Sequence, residues 1–215
     1  MRWCKSAKKD IKKVVDILEE TYPDAECALH FNSPYELLIS TILSAQCTDE
    51  RVNIVTKELF KEYNTPQKMI TLDEAQLQNI IKTCGLYKNK SKNILEASRS
   101  IVEKFDDVVP KTLEELTSLS GVGRKTANVV MANAFGKPAF AVDTHVFRVS
   151  NRIGIAKGKN VHEVENKLME NIDEDHWIKM HHCIIWHGRK ICKARNPKCS
   201  ECPVNVVCEF FKEQY

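Results

Sequence analysis

Cys192, Cys199, Cys202 and Cys208 are separated by six, two and five residues near the C-terminus. Four thiolates this close in sequence can converge on one centre, and the tetrahedral thiolate sites that proteins build hold zinc or an iron–sulfur cube. A zinc ribbon offers two close Cys pairs as knuckles. Only Cys199 and Cys202 form such a pair here, which favours a [4Fe–4S] cluster over zinc and over the bland reading, disulfides.

A second constellation is Leu119-Ser120-Gly121-Val122-Gly123-Arg124-Lys125-Thr126-Ala127. A segment with the grammar of a capped helix, 112–119, precedes it, and an apolar face of Ala127, Val130, Met131 and Ala134 follows, so the sequence predicts helix, tight turn, helix. Gly121 and Gly123 open backbone angles closed to other residues and let N–H groups approach an anion, while the second helix adds the positive end of its dipole. A DNA phosphate suits that site. A dinucleotide-binding glycine loop needs a preceding strand and a third glycine, and the sequence has neither.

Lys125 falls in the first turn of the second helix, where the dipole disfavours a cation and eases deprotonation, as a nucleophilic amine requires. Bringing a lysine from about 10.4 to near neutrality takes on the order of 4 kcal/mol, more than the dipole supplies, so partial burial is expected as well. The residues alone read equally as a phosphate-binding lysine, with Arg124 the better pure phosphate ligand. Asp143, in Ala141-Val142-Asp143-Thr144-His145, is placed to cap a helix bearing Val146, Val149 and Ile153. A carboxylate held by backbone N–H groups stays ionised and can stabilise positive charge developing on a sugar, so capping and catalysis are compatible there.

Helices must position these groups. Ile11, Val14, Val15 and Leu18 make one apolar face, and Ser33-Pro34-Tyr35-Glu36 reads as N-cap, first-turn proline and capping-box Glu ahead of Leu37 to Leu43. Thr71 with Glu74, Thr112 with Glu115 and Asn160 with Glu163 repeat the cap pattern, and Gly85, Gly121, Gly136 and Gly188 are expected at helix ends. Val108-Val109 is too short to demand a sheet. The expectation is an all-α chain of roughly ten helices, without internal repeat or low-complexity linker.

The 215 residues suffice for one large or two small domains, and no apolar run approaches the length of a membrane span. Met1 to Lys9 lacks the apolar stretch of a secretory signal, so the thiols are expected in a reducing cytoplasm, with Cys4, Cys27, Cys47, Cys84 and Cys183 mostly buried. The net charge of +3 is uninformative, but its distribution is not. No acidic residue lies between His176 and Ser200, where Lys179, Arg189, Lys190, Lys193, Arg195 and Lys198 fall, nor between Ala75 and Leu95, which holds Lys82, Lys88, Lys90 and Lys92. Two basic stretches flanking a phosphate-binding turn point to nucleic acid. His181, His182 and His187 read as core or phosphate-proximal residues rather than metal ligands, since four thiolates already complete a ligand set, and Trp177 and Trp186 read as core.

Lys125 in Gly-Val-Gly-Arg-Lys-Thr-Ala, Asp143 in Val-Asp-Thr-His, Ser44-Ala45-Gln46, Gly85-Leu86-Tyr87, His187-Gly188-Arg189 and the cysteine spacing together closely resemble the endonuclease III family of helix-hairpin-helix DNA glycosylases, over nearly the whole chain. Ser120 departs from a usual proline, which should loosen the turn slightly, and Cys47 from a common alanine. The resemblance implies two helical domains, a helical barrel of residues 26–137 and a discontinuous iron–sulfur cluster domain of residues 1–25 and 138–215, with a DNA-binding cleft between them. It implies that Lys125 attacks the sugar carbon of a flipped-out damaged pyrimidine, forms a Schiff base and nicks the strand by β-elimination, with Asp143 stabilising the oxocarbenium-like transition state. Extruding a nucleotide leaves a hole in the duplex. By the same resemblance Gln46 and Leu86 fill it, although residues alone favour a helix-end glutamine and an apolar cap contact. Gly121, Gly123 and Arg124 would hold phosphate, and the cluster would fix a loop presenting Lys193, Arg195 and Lys198 to the backbone.

The expected partner is therefore duplex DNA with damaged pyrimidines or abasic sites, bound by a monomer, with no membrane involved. Two rivals remain. An adenine-mismatch glycosylase typically lacks the hairpin lysine and carries a further C-terminal domain, whereas this chain has Lys125 and ends seven residues after Cys208. A non-catalytic DNA-binding module would make Lys125 and Asp143 a coincidence.

Overall fold

Ile11, Val14, Val15 and Leu18 recur at helical spacing, and in the computed structural model they line the inner face of α1 (Arg2–Thr21), with Leu18 fully hidden. The structure describes residues 2–214, with side chains from residue 10 onward. The Cys4 thiol lies outside the described residues. Among these residues there are α-helices and two 3-10 turns but no strand, so the all-α expectation holds. The helices number twelve against roughly ten expected.

Leu37 to Leu43 carries only leucine, isoleucine and the small Ser40 and Thr41, so a helix there is stable only when surrounded, and every one of these residues is buried. It forms α2 (Pro34–Ser44), the centre of a unit spanning Cys27–Lys137. Around α2 pack α3 (Asp49–Glu62), α6 (Tyr87–Lys104) and α8 (Arg124–Phe135), while α4 (Pro66–Met69) and α5 (Glu74–Ile81) lie on α6 and α7 (Leu113–Thr117) lies on α8. Leu38, Leu77, Ile94, Ile101, Leu116 and Val130 interlock in this core, each fully hidden.

The other unit joins Met1–Glu26 to Pro138–Tyr215. It comprises α1, α9 (Thr144–Ile153), α10 (Val161–Asn171), α11 (Trp177–Lys190) and α12 (Glu209–Gln214), with α11 packed on α9 and α1. Phe140, Val146, Val149, Leu168, Met180 and Ile184 form its interior. Trp177 is buried against Phe140 and donates its indole N–H to Ile172 O at 2.8 Å. Trp186 stays half-buried against the edge of Tyr22. Among the described residues no helix is long and apolar enough to cross a membrane.

The caps follow local chemistry. Ser33, Thr112 and Asn160 each accept an N–H three residues on, worth about 1 kcal/mol apiece. Glu36 does not complete a capping box, because its Oε2 is taken by the backbone N–H and amide of Asn32 at 2.6 and 3.1 Å. Thr71 is not a cap. Asp73 caps α5 in a full capping box with Gln76, since a carboxylate answers the helix dipole better than a hydroxyl. Gly188 ends nothing either: it lies inside α11, where an added Cβ would come 3.0 Å from His145 Nδ1 and 3.1 Å from Val149 Cγ2, so it serves the close approach of α9. Gly136 and Gly154, both at positive φ, close α8 and α9.

Cys84 and Cys183 are buried, but Cys27 and Cys47 are only half-buried. The three histidines of α11 are core, His181 at 3%, His182 at 7% and His187 at 0% exposure. Burial, with His181 and Lys179 nearby, pulls His182 down to about 3. An imidazole held neutral in the fold but free to protonate when unfolded binds protons to the unfolded chain, so stability falls as pH drops from about 6.5 towards 3. The melting temperature is therefore expected to fall between pH 7 and pH 4.5, and less steeply in His182→Asn. Equal slopes in the two proteins would assign the acid sensitivity elsewhere.

Candidate functional site

The turn between α7 and α8 is anchored by Leu119 and Val122, 3% and 6% exposed. Gly121 sits at φ 76°, and a Cβ there would meet Asn93 Cβ of α6 at 2.8 Å, so both angle and space demand glycine. Gly123 adopts φ −88°, ψ 173°, which any residue can take; its contribution is open space, with nothing within 4 Å of an added Cβ. Ser120 does not loosen the turn. Its hydroxyl reaches Glu96 Oε2 at 2.8 Å and Asn93 Oδ1 at 3.1 Å, tying the hairpin to α6.

No side chain caps α8 and no acid occupies its first turn, so the end presents N–H groups and positive potential beside an open glycine. Arg124 and Lys125 follow at once, both exposed. The partial burial expected for Lys125 is absent in the ligand-free chain.

Gln46 and Leu86 take left-handed backbone angles, φ 53° and 59°. Among the described residues the other non-glycine residues in that region are Asp106, Asp107 and Asn196, types that tolerate it, whereas a leucine there is strained by roughly 1 kcal/mol or more. Leu86 is also 53% exposed rather than packed as an apolar cap. The two turns abut, since a Cβ added to Gly85 would lie 3.0 Å from Gln46 O. Beneath them Cys84, buried and hydrogen-bonded with Cys47, has its thiol pushed up to about 11 by burial first and by Cys47 next.

Asp143 caps α9 as expected, its Oδ1 accepting the N–H groups of His145 and Val146 at 2.8 Å each. Along α9 itself stand two arginines that sequence reading passed over. Arg148 donates to Cys192 O at 3.1 Å and Gly188 O at 3.0 Å. Arg152 donates to Lys193 O at 2.7 Å and Ala194 O at 3.1 Å, approaches Cys192 Sγ at 3.7 Å, and lies over the Phe210 ring. Their one-turn spacing on the helix that Asp143 caps was the available signal. The same helix thus sets Asp143 and braces the cysteine loop.

Cys192, Cys199, Cys202 and Cys208 all line one pocket, which Ile153, Ile191, Pro197 and Phe211 line with them. His187 spans the floor, Nδ1 3.0 Å from Tyr22 Oη and Nε2 3.5 Å from Cys202 Sγ, and burial pulls it down to about 4. Burial pushes Cys202 up to about 11 and raises Cys208 as well. Thiols bind metal as thiolates, so a multivalent cation offsets the cost of ionising them there, and four cysteines lining one pocket are the donor set of an iron–sulfur cube. The residues present fit the group.

The basic stretches divide on inspection. Lys193 and Arg195 stand exposed on the loop, which closes where Lys198 N–H meets Ile191 O at 3.1 Å. Lys198 pairs with Glu201, Lys190 lies over the Trp186 ring at 4.2 Å, and Lys179 donates to Pro23 O and Ala25 O. In the other stretch Lys82 and Lys88 are exposed and Lys92 reaches Glu96, but Lys90 is buried. Lys90 is thus an internal brace rather than a surface charge, and half-buried Lys179 ties α11 to the segment after α1.

Residues 39–174 match the model of the HhH-GPD superfamily of base excision DNA repair proteins. Residues 192–208 match that of the iron–sulfur binding domain of endonuclease III. The chain is 48% identical to endonuclease III of Bacillus subtilis strain 168, across 93% of this chain and 92% of that protein. With endonuclease III of Escherichia coli K12 it shares 44% identity, across 92% and 94%. Among solved structures, a trapped endonuclease III–DNA covalent intermediate with an estranged adenine superposes with a TM-score of 0.91 at 45% identity, covering 96% of this chain and 97% of that one.

Proposed function

The chain belongs to the endonuclease III branch of the HhH-GPD superfamily of base excision DNA repair proteins, and on that premise we propose that it is a DNA glycosylase and abasic-site lyase that removes oxidised pyrimidines from duplex DNA. The observation that carries this reading is an exposed lysine, Lys125, in the first turn of a helix whose uncapped end opens beside Gly123.

A duplex phosphate rests on the Gly121–Gly123 turn and Arg124, where N–H groups and the helix dipole receive it. The damaged nucleotide leaves the stack, because an amine held on a protein surface cannot reach a sugar carbon inside a paired duplex. Gln46 and Leu86 enter the gap, the amide towards the widowed base and the leucine between neighbours. Lys125 Nζ, acting as the free amine, forms a bond to the sugar C1′ as the C1′–base bond breaks; the base departs with the electron pair and takes up the proton that the nitrogen gives up. Asp143 faces the positive charge that builds on the sugar. Ring opening gives the Schiff base, a C2′ proton is removed, the 3′ C–O bond breaks, and water returns Lys125 to its amine.

The chain carries an iron–sulfur cluster in the 192–208 segment, and we assign Cys192, Cys199, Cys202 and Cys208 as the ligands. The cluster supplies the metal–thiolate bonds that fix the loop. Lys193 and Arg195 then meet phosphates, and the enzyme works as a monomer on cytoplasmic DNA.

Protein purified without air is expected to be brown and to contain about four irons per chain. One zinc and no iron would replace the cluster assignment, and Cys199→Ser should disorder the loop and weaken DNA binding. Exchanging Lys193 and Arg195 for Ala should lower the slope of log affinity against log salt on undamaged duplex by about one per lost contact. An unchanged slope would make these charges a solvated surface.

The function itself is tested on duplexes with and without a single thymine glycol. Release of the base together with strand scission 3′ to the site, and none on undamaged DNA, is the expected result. Binding to the lesion without release would leave a recognition module instead.

A further inference from the structure

Lys90 is the only buried lysine among the described residues, 4% exposed. It stands on the fourth residue of α6, one turn beyond Leu86, whose carbonyl accepts its N–H at 3.0 Å. Its side chain crosses to the end of α2, where Nζ donates to Leu43 O at 2.8 Å and to Ala45 O at 2.6 Å, the carbonyl directly before Gln46. Burial lowers its pKa, opposed by the nearby Cys84 and Cys47 thiols.

Both partners of this ammonium are neutral carbonyls. A cation placed there gains the negative end of the α2 dipole and satisfies two carbonyls that the helix leaves without donors. It still gives up most of its hydration, a cost that an apolar side chain of the same length would not carry. What an apolar residue cannot do is fix two carbonyl positions from one atom.

Those positions matter because of what is attached to them. Lys90 links the turn that ends in Gln46 with the helix that begins after Leu86, the two strained and exposed residues of this surface. The turns already touch through Gly85 and the Gln46 carbonyl. The ammonium adds a polar tie to that contact, to the Cys47–Cys84 hydrogen bond and to the packing of α2 on α6.

We propose that Lys90 is a positioning residue for base extrusion: it locks the Gln46 and Leu86 turns at one separation so that both side chains enter the duplex together, without itself touching DNA. This rests on the reading of Gln46 and Leu86 as the residues that fill the gap. Displacing such groups by about 1 Å costs on the order of 10²-fold in rate. The loss applies only where a stacked duplex has to be opened.

The test uses the intact, iron-loaded protein and one abasic site presented either in a duplex or in a single strand, with kcat/KM measured on each. The ratio of duplex to single-strand values is the readout, because general loss of folding or of the nucleophile lowers both together. Lys90→Met, which keeps length and removes the donors, is expected to lower the ratio on the order of 10²-fold, as are Gln46→Ala and Leu86→Ala. A normal ratio in Lys90→Met beside lowered ratios in the other two overturns the role of Lys90. So does an equal fall on both substrates, which would make it a folding residue only. Normal ratios in Gln46→Ala and Leu86→Ala overturn the gap-filling reading itself and remove the premise. If circular dichroism shows Lys90→Met unfolded, Lys90→Gln, whose neutral amide sits on a side chain one bond shorter, takes its place under the same criteria.

Discussion

Borohydride added while the protein acts on a duplex carrying an abasic site or a thymine glycol is expected to fix protein to DNA covalently, and Lys125→Gln to abolish that adduct. A Schiff base forms only when a neutral amine reaches the sugar, and hydride reduces its C=N bond to a stable secondary amine. Lys125 lies in the first turn of α8 with its ammonium in solvent, so the variant disturbs no packing and should melt like the wild type. Duplex binding should weaken by no more than about one phosphate contact, less than tenfold at moderate salt. A Lys125→Gln protein that still cross-links would place the nucleophile on another amine. A wild type that releases base without any adduct would mean that water attacks the sugar, the chemistry of a glycosylase without lyase activity. The exposure of Lys125 adds a second expectation: its affinity label with an amine-reactive reagent should be suppressed by bound lesion duplex, since DNA covers the amine.

Much of this site could be read from sequence because its grammar is local. Gly121 needs a positive φ wherever the chain turns that tightly, Asp143 needs only the two N–H groups that follow it, and the four cysteines declare themselves by spacing. What escaped depends on partners distant in the chain. Lys90 looked like one more charge in a basic stretch, and only the carbonyls of Leu43 and Ala45, 47 and 45 positions away, reveal it as a brace. Arg148 and Arg152 were invisible for the same reason, as their acceptors lie 40 or more residues downstream. Gly188 was misread as a helix stop because its requirement comes from α9 rather than from its own helix. The cap at Thr71 failed on a local competition, where Asp73 two residues later offers a stronger acceptor. Leu86 shows the opposite error: apolar character suggested packing, while the observed residue is strained and bare.

Asp143→Asn should fold, bind DNA and release base slower by roughly 10²- to 10³-fold, the loss typical of removing one preorganised electrostatic group from a transition state. Asparagine retains an Oδ1 acceptor for the N–H groups of His145 and Val146, both now at 2.8 Å, and Asn and Asp are near-equal caps. The start of α9 therefore survives, and with it the seats of Arg148 and Arg152 that hold the cysteine loop. Iron content and melting temperature should stay at wild-type values. The charge is what disappears, and with it the favourable interaction with a sugar turning cationic as its base departs. Single-turnover release of thymine glycol isolates that step from product dissociation. Asp143→Ala makes the contrast, since it loses cap and charge together, about 1 kcal/mol of stability in addition to the rate. If Asp143→Asn lowered the melting temperature and the iron content as Asp143→Ala does, its slow turnover would trace to a displaced α9. If its rate were within twofold of wild type, positive charge on the sugar would have to be met by a different group, and Asp143 would be a cap alone.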